Sequence, residues 1–539
     1  MLQCSRSREP RRVLQRRHAA GRSPPLGEGA ARPRKSGGSI VAPQTLTLTL
    51  DPHALARELS GKLLIDGELV PARSGRTFAV VNPATGATIA DAAEGEAIDV
   101  DVAVQSAHAA QKPWSKLTAR ERGRLVTECG RRLTEHAEEL ARLVALETGK
   151  ALRTESRVES GVLADAFVFY GGLGSELKGE SVPFNPKMLT VTQRDPIGVI
   201  GAIIPWNVPM MLMALKIAPA LVAGNTVVVK SAEEAPLAVL RTCQIMNTIL
   251  PKGVFNILSG QGPECGGPLV AHPKVGKVTF TGSVETGRII YRAAAEKLIP
   301  VTLELGGKSP MIVMGDADLD KAIDGAVAGM RFTRQGQSCT AASRIFVHDS
   351  VHDEFVGRLK ARVDAMKMGD PLDEATDIGT IVSPQQFEKV NSYIELGTAT
   401  PGATAHACSA MPDDPKLAKG LFVRPVIFTG LGNDSRLARE EIFGPVTCII
   451  RFTDYDSAIE QANDSEYGLA ATIWTRDLRT ALDATQRLEA GFVQVNQNLV
   501  VQPGLSYGGV KHSGLGKEAS LEAMLEHFTH KKTIILNMV

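Results

Sequence analysis

From residue 197 onward the chain repeats one pattern, in which a short apolar run, a helix-length stretch and another short apolar run follow one another. Val199 to Ile204 is apolar and stops at Pro205, Val208 to Leu221 has helical character, and Thr226 to Val229 is the next strand-like run. Pro236 to Ile249 is again helical, and Val254 to Ile257 and Lys277 to Phe280 follow as strands. A second series starts with Met311 to Val313, a helix from Leu319 and Arg344 to Val347, and reaches Val446 to Phe452. Strand and helix alternating in this way predict an α/β fold, a parallel sheet with helices on both faces. At 539 residues the chain is too long for one core, so two or three domains are expected.

The region before this series reads differently. Lys62 to Val70 and Thr77 to Val81 look like short strands, with a turn over Asn82 to Gly86. Residues 96 to 149 carry the spacing of two or three amphipathic helices. Lys178 to Pro196 loses that period and alternates in places, marking a β excursion. The apolar stretch Val208 to Val229 is broken by Lys216, Pro219, Gly224 and Asn225, so it reads as a buried helix running into a strand, not a membrane span.

Charge and cysteines narrow the function. The first 45 residues hold nine Arg and Lys35 against Glu9 and Glu28. The rest then carries 50 basic and 57 acidic residues, which gives no electrostatic case for nucleic acid or an anionic membrane. Residues 1–45 read as a disordered extension. The alternative is an organelle transit peptide, against which Pro10, Pro24, Pro25 and Pro33 break the amphipathic helix such peptides favour. Seven scattered cysteines without a CxxC pair point to a reducing compartment, the cytoplasm, and no metal-binding spacing occurs among the histidines.

Several segments can carry chemistry. Cys339, in Gln335-Gly336-Gln337-Ser338-Cys339-Thr340, is a candidate nucleophile, because a thiolate adds to carbonyl carbon and leaves again readily. In isolation it reads more readily as a buried structural cysteine than as a nucleophile. Glu304, followed by Leu305-Gly306-Gly307, is a strand-end carboxylate placed to activate water, or a solvated loop residue. Asn207, in Ile204-Pro205-Trp206-Asn207-Val208-Pro209, can donate to an oxyanion, worth about 3 kcal/mol in a dry site, or can merely stabilise a turn. Thr281-Gly282-Ser283 to Gly287 and Lys230-Ser231-Ala232-Glu233 each follow a strand where a dinucleotide would lie, although each also suits an ordinary turn.

Together and in this order, the segments resemble the aldehyde dehydrogenase family over roughly residues 60 to 535. Glu440-Glu441-Ile442-Phe443-Gly444-Pro445 and Tyr507-Gly508-Gly509 to Gly514 add to the resemblance. It implies an enzyme that oxidises a small aldehyde to its acid with NAD, by way of a cysteine thiohemiacetal and a thioester that water cleaves. Cys339 is then the nucleophile, Glu304 the base, and Asn207 with the Cys339 N–H the oxyanion hole. Ile204, Pro205, Trp206, Lys230, Glu233, Gly282, Ser283, Gly287, Leu305, Glu441 and Phe443 would hold the cofactor. Ser231 departs from the family's usual proline and offers a hydrogen bond to an added phosphate, so NADP stays open, whereas Glu233 would repel that phosphate. The resemblance also implies a Rossmann-like cofactor domain over 52–177 and 197–305 and an α/β catalytic domain over 306–515. A β segment of 178–196 and 525–539 would join subunits into a homodimer or homotetramer. An acyl transfer to coenzyme A is the rival reaction, which Glu304 disfavours. A catalytically silent binding protein is the rival class, which the retained Cys339, Glu304 and Asn207 disfavour.

Overall fold

The computed structural model describes residues 46–498 and 501–539, so the expectations for residues 1–45 lie outside the described residues. The first strand–helix series forms the centre of an eight-stranded sheet. Its parallel strands are β1 (Val199–Ile203), β2 (Thr226–Lys230), β3 (Phe255–Leu258), β4 (Val275–Thr281) and β5 (Val301–Glu304). They lie in the order β3–β2–β1–β4–β5, so the chain reverses direction across the sheet between β1 and β4. Such a reversal opens a crevice at the carboxyl ends of the two strands, because their crossover helices go to opposite faces. Leu63–Ile65 and Glu68–Val70 extend the sheet beyond β3, and Gly514–Leu515 closes its other edge against β5, each antiparallel.

The apolar region noted in the sequence is accounted for by α1 (Pro209–Val222) and β2, which are buried along their whole lengths. Pro209 starts α1 where a missing N–H costs nothing. Three helices, Ala97–Lys116, Ala119–Glu135 and Ala137–Thr148, fill the stretch read as two or three. The second series builds a seven-stranded sheet in the order Thr404–Ala407, Val426–Thr429, Val446–Phe452, Arg344–His348, Pro310–Val313, Ala470–Trp474 and Phe492–Val495. All neighbours there are parallel except the first pair. Met188–Pro196 and Thr529–Asn537 pair antiparallel over nine residues as a separate two-stranded ribbon. Among the described residues no helix is long and apolar enough to cross a membrane.

Candidate active site

Asn207 and Cys339 come together from distant parts of the chain. Asn207 follows β1, and its side-chain N–H donates to the Gln337 carbonyl at 3.2 Å, two residues before Cys339. The loop is held from behind, since Lys150 donates to the Asn207 carbonyl at 3.0 Å and is itself ion-paired to buried Glu159. Glu159 in turn accepts from the Met210 and Met211 N–H groups at the start of α1. A buried ion pair thus ties the carboxyl end of β1 to a helix N-terminus, and its charges are satisfied.

Cys339 lies in the loop after α3 (Leu319–Met330) and a single 3₁₀ turn. Of the six described cysteines, all free, it alone is not fully buried. Its sulfur is 3.4 Å from the Tyr507 hydroxyl. Burial pushes the Cys339 thiol up to about 11, and the Tyr507 hydrogen bond works against that rise. Among the described residues nothing accepts from the Cys339 backbone N–H.

Glu304 ends β5 and is 2% exposed. Neither of its carboxyl oxygens has a hydrogen-bond partner among the described residues. It packs against Gly508, where an added Cβ would lie 2.6 Å from Oε1. Burial, with Glu518 nearby, holds its carboxyl well above the ordinary carboxylate range, while Lys216 and Lys517 favour ionisation. Lys216, the odd charge inside apolar α1, is there to meet Glu518 at 2.5 Å. Glu304 borders neither of the cavities that Cys339 lines.

Cys339 and Asn207 form the shared wall of two cavities. One, of about 40 Å³, is lined by Met211, Arg331, Thr340, Phe492, Asn498 and Tyr507 among others. Of the three methionines near Asn207, Met211 alone lines it, and Met210 and Met213 are core. The other cavity, of about 200 Å³, opens at the β1–β4 reversal and is bordered by Pro205, Trp206, Thr281, Gly282, Ser283, Leu305, Glu441 and Phe443. Trp206 and Phe443 meet edge to face with ring centres 5.3 Å apart.

Glu441 accepts from the Gly307 N–H at 2.9 Å, and a Cβ on Gly306 would lie 2.3 Å from its other oxygen. A Cβ on Gly307 would lie 2.3 Å from the Cys339 carbonyl. The two glycines after Glu304 therefore let backbone pass between the carboxylate and the cysteine loop. Ser283 caps α2 (Val284–Ala295), and a Cβ on Gly287 inside this helix would lie 2.6 Å from Leu305. Lys230 and Glu233 pair at 2.7 Å at the end of β2, one strand away from the cleft. Ile204 is buried outside the cleft lining and donates its N–H to the Lys230 carbonyl. The cleft thus offers a helix N-terminus, an orphaned buried Thr281 hydroxyl and a carboxylate beside a glycine gap. These are groups that fit phosphate and ribose hydroxyls, and so fit a dinucleotide.

The sequence pattern of the Aldehyde dehydrogenase family matches residues 69–534. The chain belongs to the aldehyde dehydrogenase family. It is 39% identical to a hydroxyisobutyraldehyde dehydrogenase of Mycolicibacterium austroafricanum, over 92% of this chain and 97% of that protein. It is 42% identical to a betaine aldehyde dehydrogenase of Rhizobium etli, over 88% of this chain and 96% of the relative. The structure of an aldehyde dehydrogenase from Bacillus cereus, solved with NAD+, superposes with a TM-score of 0.87 at 37% identity, covering 92% of this chain and all of the other. The protein is thus an NAD(P)-dependent enzyme that oxidises aldehydes to carboxylic acids.

Among the residues of this dehydrogenase that border the two cavities, Arg331, Gln386, Lys389 and Tyr507 are side chains that the sequence reading did not assign to the site. Gln386 donates to the Ile442 and Phe443 carbonyls at 2.9 and 3.0 Å, holding Phe443 in a left-handed conformation with φ 57°. Tyr507 opens the Tyr507-Gly508-Gly509 motif, so its aromatic character is visible in the sequence, though its contact with the sulfur is not. The other three stand in no pattern that distinguishes them from surface residues.

Proposed function

We propose that Cys339 attacks the aldehyde from the smaller cavity while NAD occupies the larger one. The observation that carries this reading is the wall that the two cavities share at Cys339 and Asn207. The sulfur, once its proton has passed to solvent, adds to the carbonyl carbon as the thiolate, and the Asn207 amide and the Cys339 N–H donate to the oxygen that takes over its charge. The chemistry NAD supplies when bound is acceptance of the hydride from that carbon, which leaves a thioester on Cys339. Glu441 would hold the nicotinamide ribose, Gly282 and Ser283 the pyrophosphate, and Lys230 with Glu233 the adenosine ribose. The Glu233 carboxylate favours NAD over NADP by repelling a 2′-phosphate. Glu304 takes the proton from the water that cleaves the thioester, and the upward shift that burial gives its carboxyl makes the ionised group a stronger base.

Two wider features belong to this reading. The ribbon of Met188–Pro196 and Thr529–Asn537 exposes Leu189, Ile535 and Leu536, an apolar edge suited to joining copies of the chain. The free cysteines suit a reducing compartment, the cytoplasm.

Substitution of two residues tests the chemistry. Cys339→Ala is expected to abolish NAD reduction while NAD still binds. Glu304→Gln is expected to give one rapid turnover of NADH followed by a steady rate lowered at least a hundredfold. Retained turnover in Cys339→Ala, or an unchanged steady rate in Glu304→Gln, would remove that residue from the mechanism.

A further inference from the structure

The smaller cavity contains two arginines, and only one of them is neutralised. Arg334 is tied to Glu155, its Nε donating at 2.8 Å, and the Thr333 hydroxyl also donates to Glu155, so that carboxylate is taken. Arg331 lines the same cavity as Cys339, and among the described residues its guanidinium has neither an ion pair nor a hydrogen bond. Of the charged groups that act on it most strongly, Glu155 is already engaged and Arg334 adds a like charge. Removal from water, reinforced by Arg334, pulls the Arg331 pKa below its usual value, as expected for a cation in want of a counter-charge.

The backbone adds a second, independent observation. Arg331 sits at the carboxyl end of α3 with φ 57° and ψ 45°, the left-handed conformation in which glycine is the favoured residue. A long cationic side chain held in that conformation, lining the cavity of Cys339 and without an ion pair or hydrogen bond among the described residues, is the pattern of a site that awaits a counter-charge. The rest of the lining includes polar groups as well. Ser309 and Thr472 present buried hydroxyls without partners, and Thr340 and Asn498 stand on the same walls. The cavity is small, about 40 Å³, which limits the ligand to a short chain.

We propose that the substrate is a short aldehyde bearing a carboxylate, an ω-oxo acid, whose acid group is received by Arg331 while its carbonyl faces Cys339. This rests on the aldehyde-oxidising reading above. An arginine fork pairs a carboxylate through two charge-assisted hydrogen bonds, so the acid group should raise kcat/KM by roughly ten- to a hundredfold over a neutral chain of equal length. A cationic substrate such as betaine aldehyde, the compound named for the Rhizobium relative, meets repulsion in this cavity.

The test is steady-state NADH production by the full-length enzyme with 4-oxobutanoate and 5-oxopentanoate, each against its neutral counterpart, butanal or pentanal. The oxo acids are expected to exceed the neutral aldehydes at least tenfold in kcat/KM. Arg331→Gln should cut that ratio at least tenfold, mainly through KM, and Arg331→Lys should restore part of it. A wild-type enzyme that uses butanal and pentanal as well as the oxo acids overturns the proposal and leaves the dehydrogenase reading standing. An Arg331→Gln variant that slows both classes equally overturns it too, and assigns Arg331 to support of the thiol. Turnover of neither class by the wild-type enzyme overturns the dehydrogenase reading as well. The wild-type comparison needs no variant, so the proposal remains testable if Arg331→Gln folds poorly.

Discussion

At the scale of single residues, the Tyr507 hydroxyl beside Cys339 is the polar contact that bears on how the sulfur behaves. The thiol is raised to about 11 by burial, so its thiolate fraction, and with it the rate of alkylation, should climb about tenfold per pH unit from 7 to 9. Tyr507→Phe removes the hydrogen bond that opposes the rise. The pKa should then move further up, and iodoacetamide should react several-fold more slowly at pH 8. Equal rates for the two proteins would show that the hydroxyl does not support the thiolate. Cys339, Glu304 and Asn207 could be picked out as candidates in the sequence because each stands in a short motif whose order along the chain is specific, and the structure brings Cys339 and Asn207 to shared cavity walls. Arg331 and Lys389 were not, because what matters about them is which cavity they border, and that is settled by contacts between segments far apart in the sequence. The buried state of Glu304 was equally hidden, since Gly508 and Glu518, which surround it, lie more than 200 positions away.

At the scale of elements, the ends of the strands and helices read between 199 and 347 moved by one or two residues, whereas Lys62 to Val70, read as one strand, is two, Leu63–Ile65 and Glu68–Val70, paired across a tight turn. β4 begins at Val275 instead of Lys277, because parallel pairing with β1 continues through that end of the strand. The pairing partners were less legible. Gly514–Leu515 returns to the edge of the first sheet after the chain has built the second, a connection that no local signal announces. The loop after β5 supports a sharper expectation. In Gly306→Ala the new methyl meets the carboxylate end of Glu441, a side chain able to swing away, so the effect should fall on the cofactor. The KM for NAD should rise about tenfold with little change in melting temperature. In Gly307→Ala the methyl meets the Cys339 main-chain carbonyl, which has less freedom, and stability should drop by about 1–3 kcal/mol. Kinetics and thermal melts of the two variants check the contrast, and identical behaviour would contradict it.

For the whole molecule, the ribbon is the part least explained by a single chain. Its strands pair with each other and join neither of the two large sheets, and Ile535 and Leu536 face outward. If the ribbon joins subunits, Ile535→Glu combined with Leu536→Glu should reduce the mass measured by light scattering to that of one chain. A wild-type protein that already has that mass would refute the assembly. The α/β class was readable from alternation alone, whereas the residues of the ribbon's first segment showed only lost helical spacing with patches of alternation, and its second segment came through the family resemblance.

The partition at Cys339 and Asn207 also bears on ligand traffic. Because the sulfur can be approached from two sides, a molecule arriving on one side does not stand in the path of a molecule on the other. No geometric rule then fixes which must come first or leave first, and the order of binding is left to affinity and to the cofactor's own rate of departure.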